Sequence, residues 1–245
     1  MKIGVGITTY NRPDYFRQSF GAAIEKLSKV VDVWCVYDDG SSQGVKEYDE
    51  IFNEIVSKYP FVKIFRPGAN GGVAKAKNTL LKHMMSANCD YMFLLEDDII
   101  IKDEKAVTGY IQAAKKSGFT HLCFAYHGPM NQAGPLYSDQ WLEYHGASIG
   151  AWCMFTKEII ETVGYFDENF TNAWEHCEFT KRIGDYGFCP PFGLFIDATG
   201  SKDWLEEIPG SIEKSAIRPR KDWQENIDKG LEYWKSKDGV GLPKL

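Results

Sequence analysis

No stretch of this sequence approaches the roughly 20 consecutive apolar residues that cross a bilayer, so the chain is expected to be soluble, with at most peripheral membrane contact. The opening MKIGVGIT lacks the long apolar core of a secretory signal and reads as a β-strand. Cys-x-x-Cys pairs are missing, and none of the six cysteines (Cys35, Cys89, Cys123, Cys153, Cys177, Cys189) stands at a zinc-type spacing from another cysteine or a histidine. Scattered mostly through apolar stretches, they are expected to be buried, reduced thiols, which places the protein in a reducing, cytoplasmic compartment. An excess of basic charge is absent too. The 28 Lys and Arg against 34 Asp and Glu leave a formal charge of −6. That excludes a broad, salt-sensitive grip on nucleic acid while leaving room for a local basic pocket. Internal repeats, low-complexity tracts and linkers are also lacking, so one domain with two lobes is expected.

What is present is an ordinary globular composition, 44% apolar and 25% charged over 245 residues, enough for a substantial core. The first half alternates short β-branched and aromatic runs (2–8, 31–37, 62–65 and 91–95) with helical segments. Val45, Tyr48, Phe52, Ile55, Val56 and Tyr59 fall on one helical face, as do Val73, Ala76, Leu80, Leu81 and Met84. Such alternation predicts an α/β fold, a mostly parallel sheet flanked by helices, with ligands at the carboxyl ends of the strands. The second half is less regular. Residues 128–144 read as a long loop, 149–155 as a strand, 157–163 as a short helix, 175–186 as a further helix, and 222–236 as a helix that packs back on the body.

Four motifs follow four strands. TTYNRP (Thr8 to Pro13) leads into a helix whose first turn suits Pro13 and whose N-terminus offers donors to an anion. YDDGSS places Asp38 and Asp39 at a strand end, where turn formation alone also explains them. NGGVAKAKN (Asn70 to Asn78) opens a helix on a glycine pair and carries Lys75 and Lys77, either to neutralise phosphate or as a solvated face. LLEDDI sets Glu96, Asp97 and Asp98 side by side after an apolar strand. Like charges so crowded call for a cation, and hard oxygen ligands suit Mn²⁺ or Mg²⁺ bridging a diphosphate. A solvated acidic turn is the plainer alternative.

In order and spacing these four motifs resemble the N-terminal half of the family 2 glycosyltransferases, and GYFDENF followed by WEHCEF is similar to that group's second-half signature. The resemblance runs from Lys2 to about Arg182. It implies a GT-A (Rossmann-like) fold with a smaller acceptor-side lobe: a nucleotide-sugar-binding half over 1–100, an acceptor and catalytic half over 101–220, and a C-terminal helix over 221–245. Thr8, Tyr10, Asp38 and Asp39 would line the base and ribose pocket, with Asp39 accepting the imide N–H of uracil or thymine. Arg12, Asn70, Lys77, Glu96 and Asp97 would also serve the donor. Lys77 stands where the family usually has arginine and lacks its bidentate fork. The DXD-like triplet would hold the metal directly through Asp98 and through water from Glu96.

The resemblance further implies a catalytic base at the start of the helix WEHCEFTKR. Family members usually carry Glu-Asp where this chain has Glu175-His176, and both residues stay candidates. Glu178 and Arg182 lie one turn apart on that helix and make a structural pair at least as readily as a functional one. Gly150, Ala151 and Trp152 occupy the place of a turn that abuts the donor sugar; Trp152 and Trp174 either stack on sugar faces or pack in the core. No histidine follows His176 to complete a metal site, so Asp197 or Asp203 substitutes or no third ligand exists. Residues 201–220 read as a lid that brings Arg218 and Arg220 towards the diphosphate.

The activity implied is transfer of a sugar, with inversion, from a nucleotide-diphosphate sugar to a carbohydrate or other hydroxyl acceptor. A UDP-sugar is favoured as the commoner donor, and Tyr137, Trp141 and Tyr144 suit a carbohydrate acceptor. Three rivals are weighed. A dehydrogenase fingerprint fails because Thr9 stands where a third glycine is needed. A sugar nucleotidyltransferase would want a glycine-rich basic loop after the first strand. A GT-A module that binds nucleotide or glycan without turnover draws its support from the replaced aspartate at His176.

Overall fold

The computed structural model describes residues 1–238; residues 239–245, the end of the expected C-terminal segment, lie outside the described residues. Its centre is a five-stranded sheet in the order β3-β2-β1-β4-β8. These strands are β1 (Ile3–Thr9), β2 (Val33–Asp38), β3 (Val62–Phe65), β4 (Tyr91–Glu96) and β8 (Trp152–Thr156). The first four run parallel, and β8 closes the sheet antiparallel to β4. All seven residues of β1 are buried, as a strand covered on both faces requires.

The crossovers are α1 (Pro13–Leu27), α2 (Val45–Lys58) and α3 (Val73–Ser86). Phe16 and Phe20 of α1 meet Tyr48 and Phe52 of α2 or each other with ring centroids about 6 Å apart, a cluster that holds the two helices together. The helix α3 lies so close on β1 that a Cβ at Gly6 would stand 2.9 Å from Leu80 Cβ, and one at Gly4 would stand 2.6 Å from Met84 Sδ. The Gly-Val-Gly of the first strand therefore serves helix-on-strand packing, which disposes of the dinucleotide-fingerprint reading in physical terms.

Beyond β4 come β5 (Ile99–Ile101) and α4 (Lys105–Ser117), then a hairpin of β6 (Tyr137–Ser138) and β7 (Leu142–His145) inside the stretch expected to be all loop. Next follow α5 (Lys157–Val163), α6 (Glu175–Asp185), β9 (Phe195–Ala198), α7 (Ser201–Trp204), β10 (Leu205–Glu207) and α8 (Trp223–Asp238). β9 joins β7 antiparallel, and β10 pairs antiparallel with β5. Trp234 of α8 is buried against Phe170, Trp174 and Phe192, so the last described helix does pack back on the body.

Candidate functional site

Sheet register brings the motifs together. Thr9 pairs with Asp38 across β1 and β2, and Thr8 pairs with Glu96 across β1 and β4. The strand order reverses at β1, with β2 on one side and β4 on the other, which is where open parallel sheets leave a crevice. The turns after β1 and β2 are stitched to each other. Asn11, in the left-handed region at φ 54°, accepts from the Ser42 and Gln43 amides at 2.8 and 2.9 Å.

A cavity of ≈ 90 Å³ opens there, lined by Thr8, Tyr10, Arg12, Asp39, Asn70, Glu96 and Asp97 together with Thr9, Val73, Ala76, Asn172, Ser215, Ala216, Ile217 and Arg220. Asp39 is fixed by three donors: the Gly71 amide at 2.7 Å, the Gly72 amide at 3.0 Å and Asn70 Nδ2 at 2.9 Å. Burial raises its pKa against those bonds. Asp38 is fully buried but turns away from the cavity, bonded by Arg66 Nε at 3.0 Å and the Ser41 amide at 3.0 Å. It orients the turn and the Arg66 side chain.

The acidic triplet is threaded by the protein's own cations. Arg12 pairs with Asp97, and its Nη1 reaches Asp98 Oδ2 at 3.2 Å. Thr9 Oγ1 donates to Asp97 Oδ2 at 2.6 Å. Lys77, 2% exposed, spans Glu96 at 2.8 Å and Glu175 at 3.4 Å. Burial pushes the Asp97 carboxyl up, with Asp98 and Glu96 adding to it against Arg12. Burial would raise Asp98 as well, but His127 and Arg12 outweigh it and hold that carboxyl at about 2. The cation that crowded carboxylates call for is thus in part Arg12 and Lys77.

One histidine that sequence reasoning passed over stands here. His127 Nε2 lies 3.4 Å from Asp98 Oδ2 and 3.6 Å from Glu207 Oε1. It arrives because the segment before it runs between strands: Met154 N donates to Leu122 O, Cys123 N to Ile196 O and Phe124 N to Trp152 O. His127 Nε2 and Asp98 Oδ1 are both buried without a hydrogen-bond partner. Such orphaned buried atoms call for an occupant. Among the described residues, no group of three His, Cys, Asp or Glu side chains is arranged to hold a metal ion. Asp98 and His127 are therefore only a partial set for a divalent cation, which would need further oxygen ligands from outside the protein. Asp197 is spent elsewhere, fully buried and bonded by Tyr110, Ser201 and the Ala125 amide.

A second cavity of ≈ 410 Å³ shares Val73, Glu96, Asn172 and Ile217 with the first and is walled by residues 146–151, 173–177, His127, Met130, Phe192, Phe195, Arg218, Trp223 and Ile227. Glu175 and His176 both line it. Burial alone would raise Glu175, but Lys77 and His176 hold its carboxyl at about 2. His176 Nε2 faces the Ser148 carbonyl at 3.2 Å, and its Nδ1 faces Glu175 Oε1 at 3.6 Å. A ring set between two acceptors is held in place as a donor. Trp152, expected near the sugar, is instead fully buried in the sheet, stacked on Phe93 at 4.9 Å, and its ring lines neither cavity. Trp174 faces the second cavity, pinned by its Nε1 donating to Ile227 O at 3.1 Å. Glu178 and Arg182 do form a pair, at 2.8 Å, with Arg182 also tied to the Val163 and Tyr165 carbonyls, a structural brace.

The family described as Glycosyl transferase family 2 matches residues 4–171. This chain belongs to glycosyltransferase family 2. An uncharacterized glycosyltransferase of Acanthamoeba polyphaga mimivirus is 27% identical over 95% of this chain and 92% of its own length. Among solved structures, the mannosyltransferase PcManGT from Pyrobaculum calidifontis, in complex with GDP-Man and Mn²⁺, is similar with a TM-score of 0.62 at 14% identity, over 99% of this chain and 66% of that one. S. aureus TarS gives 0.61 at 14% identity over 97% of this chain. The family 2 member described here spans only 40% of TarS, and 73% of a shorter TarS form solved with UDP. At such identities these likenesses establish the GT-A fold.

Proposed function

We propose that this family 2 member transfers a hexose from a nucleoside diphosphate sugar, a UDP-sugar by preference, to a carbohydrate hydroxyl, with inversion and with a divalent cation at the acidic triplet. The observation that carries this reading is the joining of two cavities at Glu96. One is lined by Asp39, Asn70, Arg12 and Asp97, the other by Glu175 and His176. The smaller cavity suits the nucleoside diphosphate, with Arg12 and Arg220 at hand for its charge. Structures of similar fold have been solved with UDP and with GDP-Man, which supports a nucleotide there.

In this reading the acceptor oxygen bonds to the anomeric carbon as the bond from that carbon to the diphosphate oxygen breaks. The acceptor proton passes to Glu175. Every side-chain contact described above for Glu175 runs through Oε1, to Lys77 and His176, which leaves Oε2 for the acceptor hydroxyl. His176, engaged at both nitrogens, orients Glu175 in place of the family's usual aspartate. Bound cation would supply neutralisation of the charge that develops on the leaving diphosphate.

Two measurements test this. Calorimetry with UDP, GDP and dTDP, first with Mn²⁺ and then with EDTA, should give metal-dependent binding of one nucleotide. A UDP-release assay over a panel of UDP-sugars with mono- and oligosaccharide acceptors should then give turnover. No nucleotide binding under either condition would overturn the donor site. Binding without any turnover would instead favour a GT-A module that only binds, a reading that the salt-bridging of the triplet by Arg12 and Lys77 also supports.

A further inference from the structure

The cavity that holds Glu175 has a volume of ≈ 410 Å³, within the range that encloses a drug-sized ligand. Its polar side chains are few and mostly committed. Lys77 takes Glu96, His176 is engaged at both nitrogens, and His127 faces Asp98 and Glu207. Among the described residues that leaves Ser148, Asn172 and Arg218 beside Glu175 for a ligand's hydroxyls. A sugar ring carries a hydroxyl on almost every carbon, and each one buried without a partner costs free energy. So short a set of partners serves one ring and not a chain of them.

The rest of the wall is aromatic and aliphatic. Trp174, Phe192, Phe195 and Trp223 all line the cavity and are each half-buried, and Ile149 and Ile227 stand with them. Trp234 backs Trp174 and Phe192 with ring centroids at 6.1 and 5.4 Å, so this wall is a packed surface. Trp174 spends its one donor on Ile227 O, and phenylalanine has none, so these rings offer contact area without hydrogen bonds. Met130, 51% exposed, lines the cavity too. Beyond it Leu136, 74% exposed, has its Cδ1 3.9 Å from where a Cβ would stand on Gly146 of the cavity wall. Apolar surface therefore continues from the cavity onto the loop ahead of β6, and surface of this kind marks a binding site. Its occupant follows from what the cavity contains. The same space holds Glu175 and joins the donor cavity at Glu96, so the molecule it takes is the acceptor.

We propose that the acceptor is a single sugar carrying an apolar aglycone, alkyl or aryl, with the sugar at Glu175 and the aglycone against Trp174, Phe192, Phe195 and Trp223. This names the acceptor class within the transferase reading and rests on that reading. One hydroxyl of the sugar gives its proton to Glu175 and gains the glycosyl group as the nucleoside diphosphate leaves. An oligosaccharide without an aglycone fits poorly, because its outer rings would set hydroxyls against Phe192 and Phe195 with nothing to accept them.

Calorimetry on the whole chain, with UDP and Mn²⁺ present, would compare the methyl and hexyl glycosides of glucose, galactose and N-acetylglucosamine, with maltotriose alongside. Each buried methylene is worth about fourfold in affinity, so at least one hexyl glycoside should bind about 10-fold or more tightly than its methyl counterpart. It should also bind more tightly than maltotriose. Trp223→Ser and Met130→Ser, both at positions open to solvent, should each remove most of that gain and leave UDP binding as it was. Val56→Ser, on the exposed face of α2, should leave both unchanged. In the UDP-release assay the same preference should appear in the acceptor KM, with kcat little altered. Hexyl glycosides that bind no better than methyl ones, or a gain that survives both Trp223→Ser and Met130→Ser, overturn the aglycone site; UDP binding and turnover onto plain saccharides would then leave the transferase standing. A hexyl preference that depends on Trp223, with no UDP binding under any condition, overturns the acceptor role together with the transferase reading.

Discussion

Glu175 is a carboxylate whose two neighbours set its chemistry. Lys77 and His176 overcome the effect of burial and hold it at about 2. A base must be deprotonated to act, so activity falls only as pH drops through its pKa. With Glu175 as the base, kcat/KM should show no acid limb between pH 5 and 8. With His176 as the base, activity should instead decline from a pH above the ordinary imidazole range, because Cys177 and Glu175 favour its charged form against the effect of burial. Glu175→Gln should lower kcat by about 10²- to 10⁴-fold, the usual contribution of a general base, with nucleotide affinity nearly unchanged. His176→Asn should cost less, and by removing one of the two cations that hold Glu175 down it should bring an acid limb up towards the ordinary carboxylate range. An acid limb above the imidazole range abolished by His176→Asn would assign the base to the histidine. The residue scale is also where the sequence was least readable. Glu175 and Asp39 could be placed from their motifs. His127 could not, because its partners Asp98 and Glu207 lie 29 and 80 positions away and meet it only through strand pairing. The same holds for Trp152: a tryptophan after two small residues reads equally as a sugar platform or as core, and only the stacking on Phe93 decides.

At the scale of elements, the first half was legible because each parallel strand is a short apolar run and each crossover helix shows one apolar stripe. The observed bounds of β3 coincide with expectation, and those of β1, β2 and β4 differ by two residues or fewer. The second half resisted for a physical reason. β6 and β7 follow a Gly- and Pro-rich stretch, β6 is only two residues long, and β7 finds its other neighbour in β9, 50 residues on, so the local pattern announces them weakly. Helix α4 passed unremarked although Ala106, Val107, Tyr110, Ile111, Ala113 and Ala114 form its buried stripe. Three of those six are alanines, which signal a helix face weakly. Gly6 offers a direct test of the close contact of α3 with the central strand. Gly6→Val drives a branched side chain into Leu80 and should destabilise the fold by about 1–3 kcal/mol, as overpacking does. Adding Leu80→Ala should recover part of the loss, a coupling visible in chemical denaturation as a non-additive double-mutant cycle.

For the whole molecule, the α8 helix matters more than its place at the end of the described chain suggests. Trp234 is 2% exposed and buttresses Trp174, which caps α6 in the left-handed region at φ 72°. A non-glycine residue holds such a backbone only when its surroundings enforce it. Trp234→Ala should cost about 3–5 kcal/mol of stability. In the fraction that folds it should also lower kcat, since α6 presents Glu175 from its first turn; nucleotide binding measured by calorimetry should change little. No helix among the described residues is long and apolar enough to cross a membrane.

The amide of Ile208 donates to the carbonyl of Asp98 at 2.7 Å, continuing the β5–β10 ladder by one rung. From Ile208 the chain runs on to Ser215–Arg220, which forms one wall of the smaller cavity. Asp98 is therefore a tie-point as well as a carboxylate: its side chain meets Arg12 and His127, and its backbone anchors the strap that walls the smaller cavity. Any shift of that residue from inside the pocket is felt one rung away by the strap, so the acidic triplet and the wall of the smaller cavity share a single fastening.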